Sequence, residues 1–171
     1  MTSMDLRRIS IHEAGHFYVA FKYRPRRAVS ICISRKVQID PLTKREYVSV
    51  GQAITFDPGD SLPKVQVSIR AAGLAAESIT YNETFEALMG NPALRRSIKT
   101  DTDNAKEDLR RAGLYPCSEE EFTSLYWRAG FDDAVLLLAS SRNKLDCIAE
   151  YCLANLDREI RREELIAACT L

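Results

Sequence analysis

The sequence has almost no histidine: two residues in 171, His12 and His16. That scarcity excludes any site built on three imidazoles. Charge of one sign is also missing, because Lys+Arg and Asp+Glu are both 24. A balanced chain gives no electrostatic reason to expect nucleic acid or an acidic membrane surface as a partner. No hydrophobic run is long enough to cross a bilayer, and Met1-Thr2-Ser3-Met4-Asp5 carries no basic-then-apolar targeting signal. None of the seven glycines begins a G-x-x-x-x-G-K-[ST] loop, so no phosphate cradle of that kind is expected. The five cysteines (Cys32, Cys117, Cys147, Cys152, Cys169) are odd in number and contain no C-x-x-C pair. They read as reduced, mostly structural thiols of a cytoplasmic protein. A cysteine could join a metal site only through spatial proximity. Repeats and low-complexity tracts are absent as well. The length suits one domain over residues 1–171 with a real core.

What is present is concentrated near the start. His12-Glu13-Ala14-Gly15-His16 is H-E-x-x-H. On an α-helix the two histidines, four residues apart, project from one face about one turn from each other. Their ring nitrogens can then meet one Zn²⁺ at roughly 2.0–2.1 Å. Glu13 is placed to act as general base on a water whose pKa the metal lowers to roughly 7. Around the motif, Ile9, Ala14, Phe17, Val19, Ala20 and Phe21 form a broad apolar surface, with Arg7, Arg8 and Lys22 expected in solvent. Thr2 and Asp5 have capping-box spacing, and Pro25 stops the helix near Tyr23. Gly15 lowers helix propensity by about 1 kcal/mol relative to Ala, which is tolerable if another backbone or a substrate comes close there.

The rest of the chain predicts a mainly α fold with a small β-sheet. Residues 28–34 and 47–56 alternate, with Asp40-Pro41 between them, which suggests a hairpin or small antiparallel sheet. An edge strand beside the metal could hold an extended peptide by main-chain hydrogen bonds. After a turn over 57–63, Val65, Ile69, Ala72, Ala76 and Ile79 follow helical spacing, with a run of small residues from Ala71 to Ala76 that permits close helix packing. Residues 81–100 read as a loop-rich insertion. Thr100-Asp101-Thr102-Asp103 opens another helix. Beyond Pro116, Ser118 and Glu121 make a second capping-box match. Val135, Leu138, Leu145, Ile148 and Cys152 line one long helix, and residues 161–169 a short final one.

A zinc ion held by two histidines needs a third protein ligand. The metzincin extension requires Gly at 19 and His at 22, where this chain has Val19 and Lys22, so that subclass is excluded. A carboxylate or thiolate must complete the set. Asp101 is the candidate, with Glu77, Asp103 and Asp108 as rivals. In the helix opening near Asp101, Ala105, Leu109 and Ala112 share a face. Asp101 lies to one side of that stripe, Asp103 points the opposite way with Glu107 and Arg110, and Asp108 borders the stripe two turns deeper. Glu77 is also a candidate partner for the free nitrogen of a ligating histidine.

These pieces together resemble the peptidase domain of the FtsH-type membrane-bound AAA+ proteases. The shared features are His-Glu-Ala-Gly-His in an N-terminal helix, a small β region, Ala72-Gly-Leu-Ala-Ala-Glu77 against the family's Gly-Gly-Arg-Ala-Ala-Glu, and an Asp-x-x-x-Ala helix opening. The family's third zinc ligand maps onto Asp101, with Ala105 four residues on. Leu145…Ile148-Ala-Glu150 and Arg162-Glu-Glu-Leu165 are similar, more weakly, to its closing helices. The resemblance implies a zincin-like helical peptidase domain without the family's ATPase domain or transmembrane segments. It also implies a Zn²⁺-dependent endopeptidase acting on peptides or unfolded protein segments, independent of ATP in isolation. Ring assembly as a homo-oligomer, or a separate partner that delivers substrate, comes with the resemblance. Two further functions stay open on the residues alone: a zinc-binding regulatory or interaction module with weak catalysis, and a metal-free helical interaction domain. Glu13 argues against the former, because a structural zinc has no use for that carboxylate.

Overall fold

The computed structural model describes residues 3–34, 37–39, 46–48, 51–55, 62–92 and 94–171. Its fold is mainly helical with a small antiparallel sheet, as the sequence pattern predicts. Helix α1 (Ser3–Tyr23) ends just before Pro25, whose ring cannot continue it. Residues 10–20 of α1 are buried on every side except at Glu13, so this helix lies inside the core, not on it. The Thr2–Asp5 capping box falls outside the described residues.

Two layers flank α1. On one side lies a three-stranded sheet in the order β4-β1-β5, built from β1 (Ala28–Ile33), β4 (Gly51–Thr55) and β5 (Glu159–Arg161), all antiparallel. Ile31 pairs with Ala53 on one side and Ile160 on the other. The strands β2 (Val37–Ile39) and β3 (Glu46–Val48) form a separate pair. The alternating stretch from Tyr47 therefore contributes to two strands instead of one. The turn expected over 57–63 lies outside the described residues up to Ser61.

On the other side of α1 runs α2 (Pro63–Tyr81), which begins with proline in its first turn and closes on Asn82 in the left-handed conformation. Its residues 66–69 and 71–77 are all buried, because α1, α4 (Arg95–Arg111) and α6 (Arg128–Ala139) surround it. Small side chains make this possible. A Cβ at Gly15 would collide with the Ala72 carbonyl and lie 2.7 Å from the Ala76 Cβ. The two backbones thus touch where the sequence left room for another backbone. Contacts pair His16 with Ile69, His12 with Glu77, and Arg8 with Glu77 and Tyr81. Descending numbers on α1 meet ascending numbers on α2, so the helices are antiparallel, with their i, i+4 rows in register.

The remaining helices close the core around Trp127, Leu74, Leu138 and Ile148. The insertion expected at 81–100 holds α3 (Phe85–Met89), and α4 begins at Arg95, more than a turn before Thr100. The Thr/Asp cluster is therefore inside the helix and not its cap. α5 (Glu119–Glu121) is capped by Ser118, whose hydroxyl accepts from the Glu121 N–H at 3.1 Å, while the Glu121 carboxylate reaches back to the Cys117 N–H. A π-helical turn over Phe122–Trp127 leads into α6. The long helix expected beyond Val135 is broken at Ser140-Ser141 into α6 and α7 (Arg142–Ala154). Ser10 donates to the Ala149 carbonyl at 2.7 Å and fixes α7 against α1. Cys147 of α7 and Cys169 of α8 (Arg162–Cys169) form a disulfide, Cα atoms 5.7 Å apart, which corrects the expectation that both are reduced. Among the described residues no helix is long and apolar enough to cross a membrane.

Candidate metal centre

His12 and His16 face α2 and α4 from the middle of α1, and α4 brings Asp101 to them. One ligand atom from each of the three lies within 4.8 Å of the others. His12 Nε2 is 3.0 Å from His16 Nε2 and 3.1 Å from Asp101 Oδ2, and His16 Nε2 is 3.4 Å from the same oxygen. Ligands held at about 2.0–2.1 Å from a tetrahedral zinc stand about 3.3–3.4 Å from one another. The donor set suits such an ion in chemistry, and its separations fall within about 0.4 Å of that spacing.

The far nitrogens of both rings decide what the near ones can do. His16 Nδ1 faces the Ile69 carbonyl at 2.7 Å. A carbonyl only accepts, so this nitrogen carries the proton. His12 Nδ1 lies 2.8 Å from Glu77 Oε1. Glu77 is 2 % exposed, and its other oxygen accepts from Arg8 Nε, so it too serves as an acceptor and Nδ1 of His12 is the donor. In neutral imidazoles both Nε2 atoms then present lone pairs, to each other and to a carboxylate oxygen. Three acceptors at 3.0–3.4 Å repel unless a cation lies among them. In the metal-free centre a proton takes the place of that cation. Burial alone would lower the His12 pKa, but hydrogen bonds with Asp101 and Glu77 and the charges of Asp101 and Glu13 raise it well above the ordinary value. Burial would raise Asp101, yet the charge of His16 and hydrogen bonds with both imidazoles hold its carboxyl well below the usual carboxylate range.

The rival ligands lie elsewhere. Asp103 is exposed and pairs with Lys99 at 2.5 Å, on the face opposite Asp101. Asp108 accepts from Arg70 Nε at 2.9 Å. Glu77 touches His12 on the side away from the shared point. No cysteine joins the cluster among the described residues. Glu13 is half-buried, and its Oε2 accepts from the Ala53 N–H of edge strand β4 at 2.7 Å. The carboxylate thus stands between α1 and the sheet edge.

Three contributors went unread in the sequence. Arg8, expected in solvent, is held by Glu77, by Glu83 at 2.6 Å, and over the Tyr81 ring at 5.0 Å from its centroid. Gly73 lies beneath His12, where a Cβ would sit 2.5 Å from the ring Cε1. Ser97 Oγ lies 3.1 Å from His12 Nε2. The signal available for two of them is helical spacing: Arg8 is one turn before His12, and Ser97 one turn before Asp101. No family model matches this chain, and no curated protein matches it at a significant level.

Proposed function

We propose that the chain is a zinc-dependent metallopeptidase, with His12, His16 and Asp101 as the protein ligands and Glu13 as the general base. The observation that supports this most is the convergence of two imidazole lone pairs and one carboxylate oxygen whose far-side partners fix their orientation. Glu77 and the Ile69 carbonyl are the outer partners such ligands need. A zinc ion held there supplies a Lewis acid and lowers the pKa of water at the site. The chain's own residues do the rest. Glu13 accepts a proton from the attacking water and returns it to the leaving amine. The Ala53 N–H holds the Glu13 carboxylate beside β4, and that strand, at the edge of its sheet among the described residues, offers main-chain donors and acceptors to an extended peptide. Asp101, 16 % exposed at its side chain, marks the part of the centre nearest solvent.

The resemblance to the FtsH-type peptidase domain supports the same reading, since the family's aspartate falls on Asp101. A peptidase of this kind acts on peptides or unfolded segments. A folded substrate needs a delivering partner or assembly. The experiment is metal analysis of the purified chain together with cleavage of an unfolded protein such as casein, with and without a chelator and with and without ATP. The expected result is one zinc per chain and cleavage that the chelator abolishes and ATP leaves unchanged. A chain that takes up no zinc, or that cleaves equally well when stripped of it, refutes the proposal.

A further inference from the structure

We propose that the Ser97 hydroxyl is a fourth, weak oxygen donor that closes the metal centre at rest and that an incoming ligand must displace. The inference rests on the metal-centre reading above and adds to it the group that controls access. Ser97 lies one turn before Asp101 on α4, so both side chains leave the same face of the helix. Ser97 Oγ is 3.1 Å from His12 Nε2, the same separation as Asp101 Oδ2 from that nitrogen. With the 3.0 Å and 3.4 Å separations already described, four distances between donor atoms fall between 3.0 and 3.4 Å. Ligands of a tetrahedral zinc stand about 3.3–3.4 Å apart, so the His16–Asp101 separation has that length and the three from His12 Nε2 are shorter by about 0.2–0.4 Å.

Ser97 reaches across to another helix and meets a candidate ligand nitrogen. Glu77 accepts from the Nδ1–H of His12, so in the neutral ring the lone pair lies on Nε2, facing Ser97 Oγ. A cation draws that lone pair to itself and leaves the Ser97 oxygen facing the same point. A neutral hydroxyl is a far weaker donor than imidazole or carboxylate. It adds little to metal affinity, yet it fills the position that water or a substrate carbonyl must occupy.

The test uses the full chain loaded with Co²⁺, whose visible absorption reports coordination, titrated with acetohydroxamate. Ser97→Ala should bind hydroxamate about tenfold more tightly than the unmodified chain, a difference of about 1.4 kcal/mol. Ser97→Thr, which keeps the hydroxyl, should restore the original affinity. Ser97→Cys places sulfur at the same position and should give an intense near-ultraviolet thiolate-to-cobalt band. Equal hydroxamate affinity in Ser97→Ala, or no such band in Ser97→Cys, overturns the assignment of Ser97. Failure of the unmodified chain to take up one cobalt overturns the metal centre itself and this inference with it.

Discussion

His12 and His16 come from a helix seated on α2 with no space to spare, whereas Asp101 and Ser97 come from α4, which meets the site along one face. On the α1–α2 side, backbone lies against backbone at Gly15, and an imidazole lies flat on Gly73. Each histidine also has a fixed far-side partner. On the α4 side the carboxylate is held by the two imidazoles themselves and is partly open to solvent. The first half of the centre is thus set by packing that exists without metal. The second half is set by the charge at the centre. Substitutions should separate the two halves: changes at the α1–α2 contact should cost the fold, and loss of Asp101 on α4 should cost the metal.

The largest effect is expected at the two glycines. Gly15→Ala drives a methyl into the Ala72 carbonyl and the Ala76 side chain. Overpacking of this kind costs about 1–3 kcal/mol, and contact with immobile backbone puts this case at the upper end. The helix-propensity gain of about 1 kcal/mol offsets only part of it. Gly73→Ala should displace the His12 ring and abolish zinc binding as well. Urea melts and metal content check both. Unchanged stability in Gly15→Ala would break the contrast between the two halves.

Next come the three aspartates of α4. Asp101→Ala should lose zinc and peptidase activity together and lower the stability of the metal-free fold by about 1–3 kcal/mol, because the imidazoles lose the carboxylate that they hold. Asp108→Ala strands Arg70 and should lower stability by about 1–3 kcal/mol with zinc retained. Asp103→Ala removes an exposed pair and should change neither by more than about 0.5 kcal/mol. Full zinc occupancy in Asp101→Ala would return the third ligand to Asp108 or Glu77.

Glu13→Gln tests chemistry without disturbing either half. The amide keeps the size of the side chain and can still meet the Ala53 N–H through its oxygen. Zinc content should stay at one per chain while turnover falls roughly 10²-fold or more. Undiminished turnover would remove Glu13 as the base.

The contrast between the two halves also explains what could be read from the sequence. The span of α1, the facing histidines and the small-residue contact on α2 follow from local spacing and from one proline. The phase of Asp101 against Ala105 and Leu109 was legible too, because helical phase does not depend on where the helix starts. The start itself was not. Leu94, at the N-cap, makes no side-chain bond to mark it, and Thr100-Asp101 looks more like a cap than anything preceding it. β5 is three residues long and exists through pairing with β1 more than a hundred residues away, so no local pattern announces it. The break at Ser140-Ser141 interrupts an apolar stripe that continues in phase on both sides. The Cys147–Cys169 bridge joins two helices across 22 residues, a spacing with no signature. Glu77 and Arg8 illustrate the harder limit. Each is a charged residue on a helix, and only the neighbouring helix tells whether it meets water or a partner.

Arg8 supports the packed half of the centre through charge, and its removal gives the smallest effect that still discriminates. Its Nε donates to Glu77 and its terminal nitrogens to Glu83, so it spans two carboxylates with its guanidinium plane above Tyr81. Without it Glu77 loses one of its two fixed partners, and the carboxylate that orients His12 is free to rotate. Outer-shell partners of metal ligands are worth about 10–100-fold in affinity. Arg8 acts one step further out, so Arg8→Ala should weaken zinc binding by about tenfold, at the lower end of that range. Arg8→Lys keeps the charge but lacks the fork that grips both carboxylates, and should recover only part of the loss. Arg7 is the internal control: it pairs with Glu150 at 2.6 Å, but both side chains are about half exposed. Arg7→Ala should therefore leave zinc affinity unchanged within about twofold. Competition titration with a zinc chelator at fixed pH reads all three variants. Equal affinities for Arg7→Ala and Arg8→Ala would show that His12 is held by packing on Gly73 alone, without help from the ion pairs beyond it.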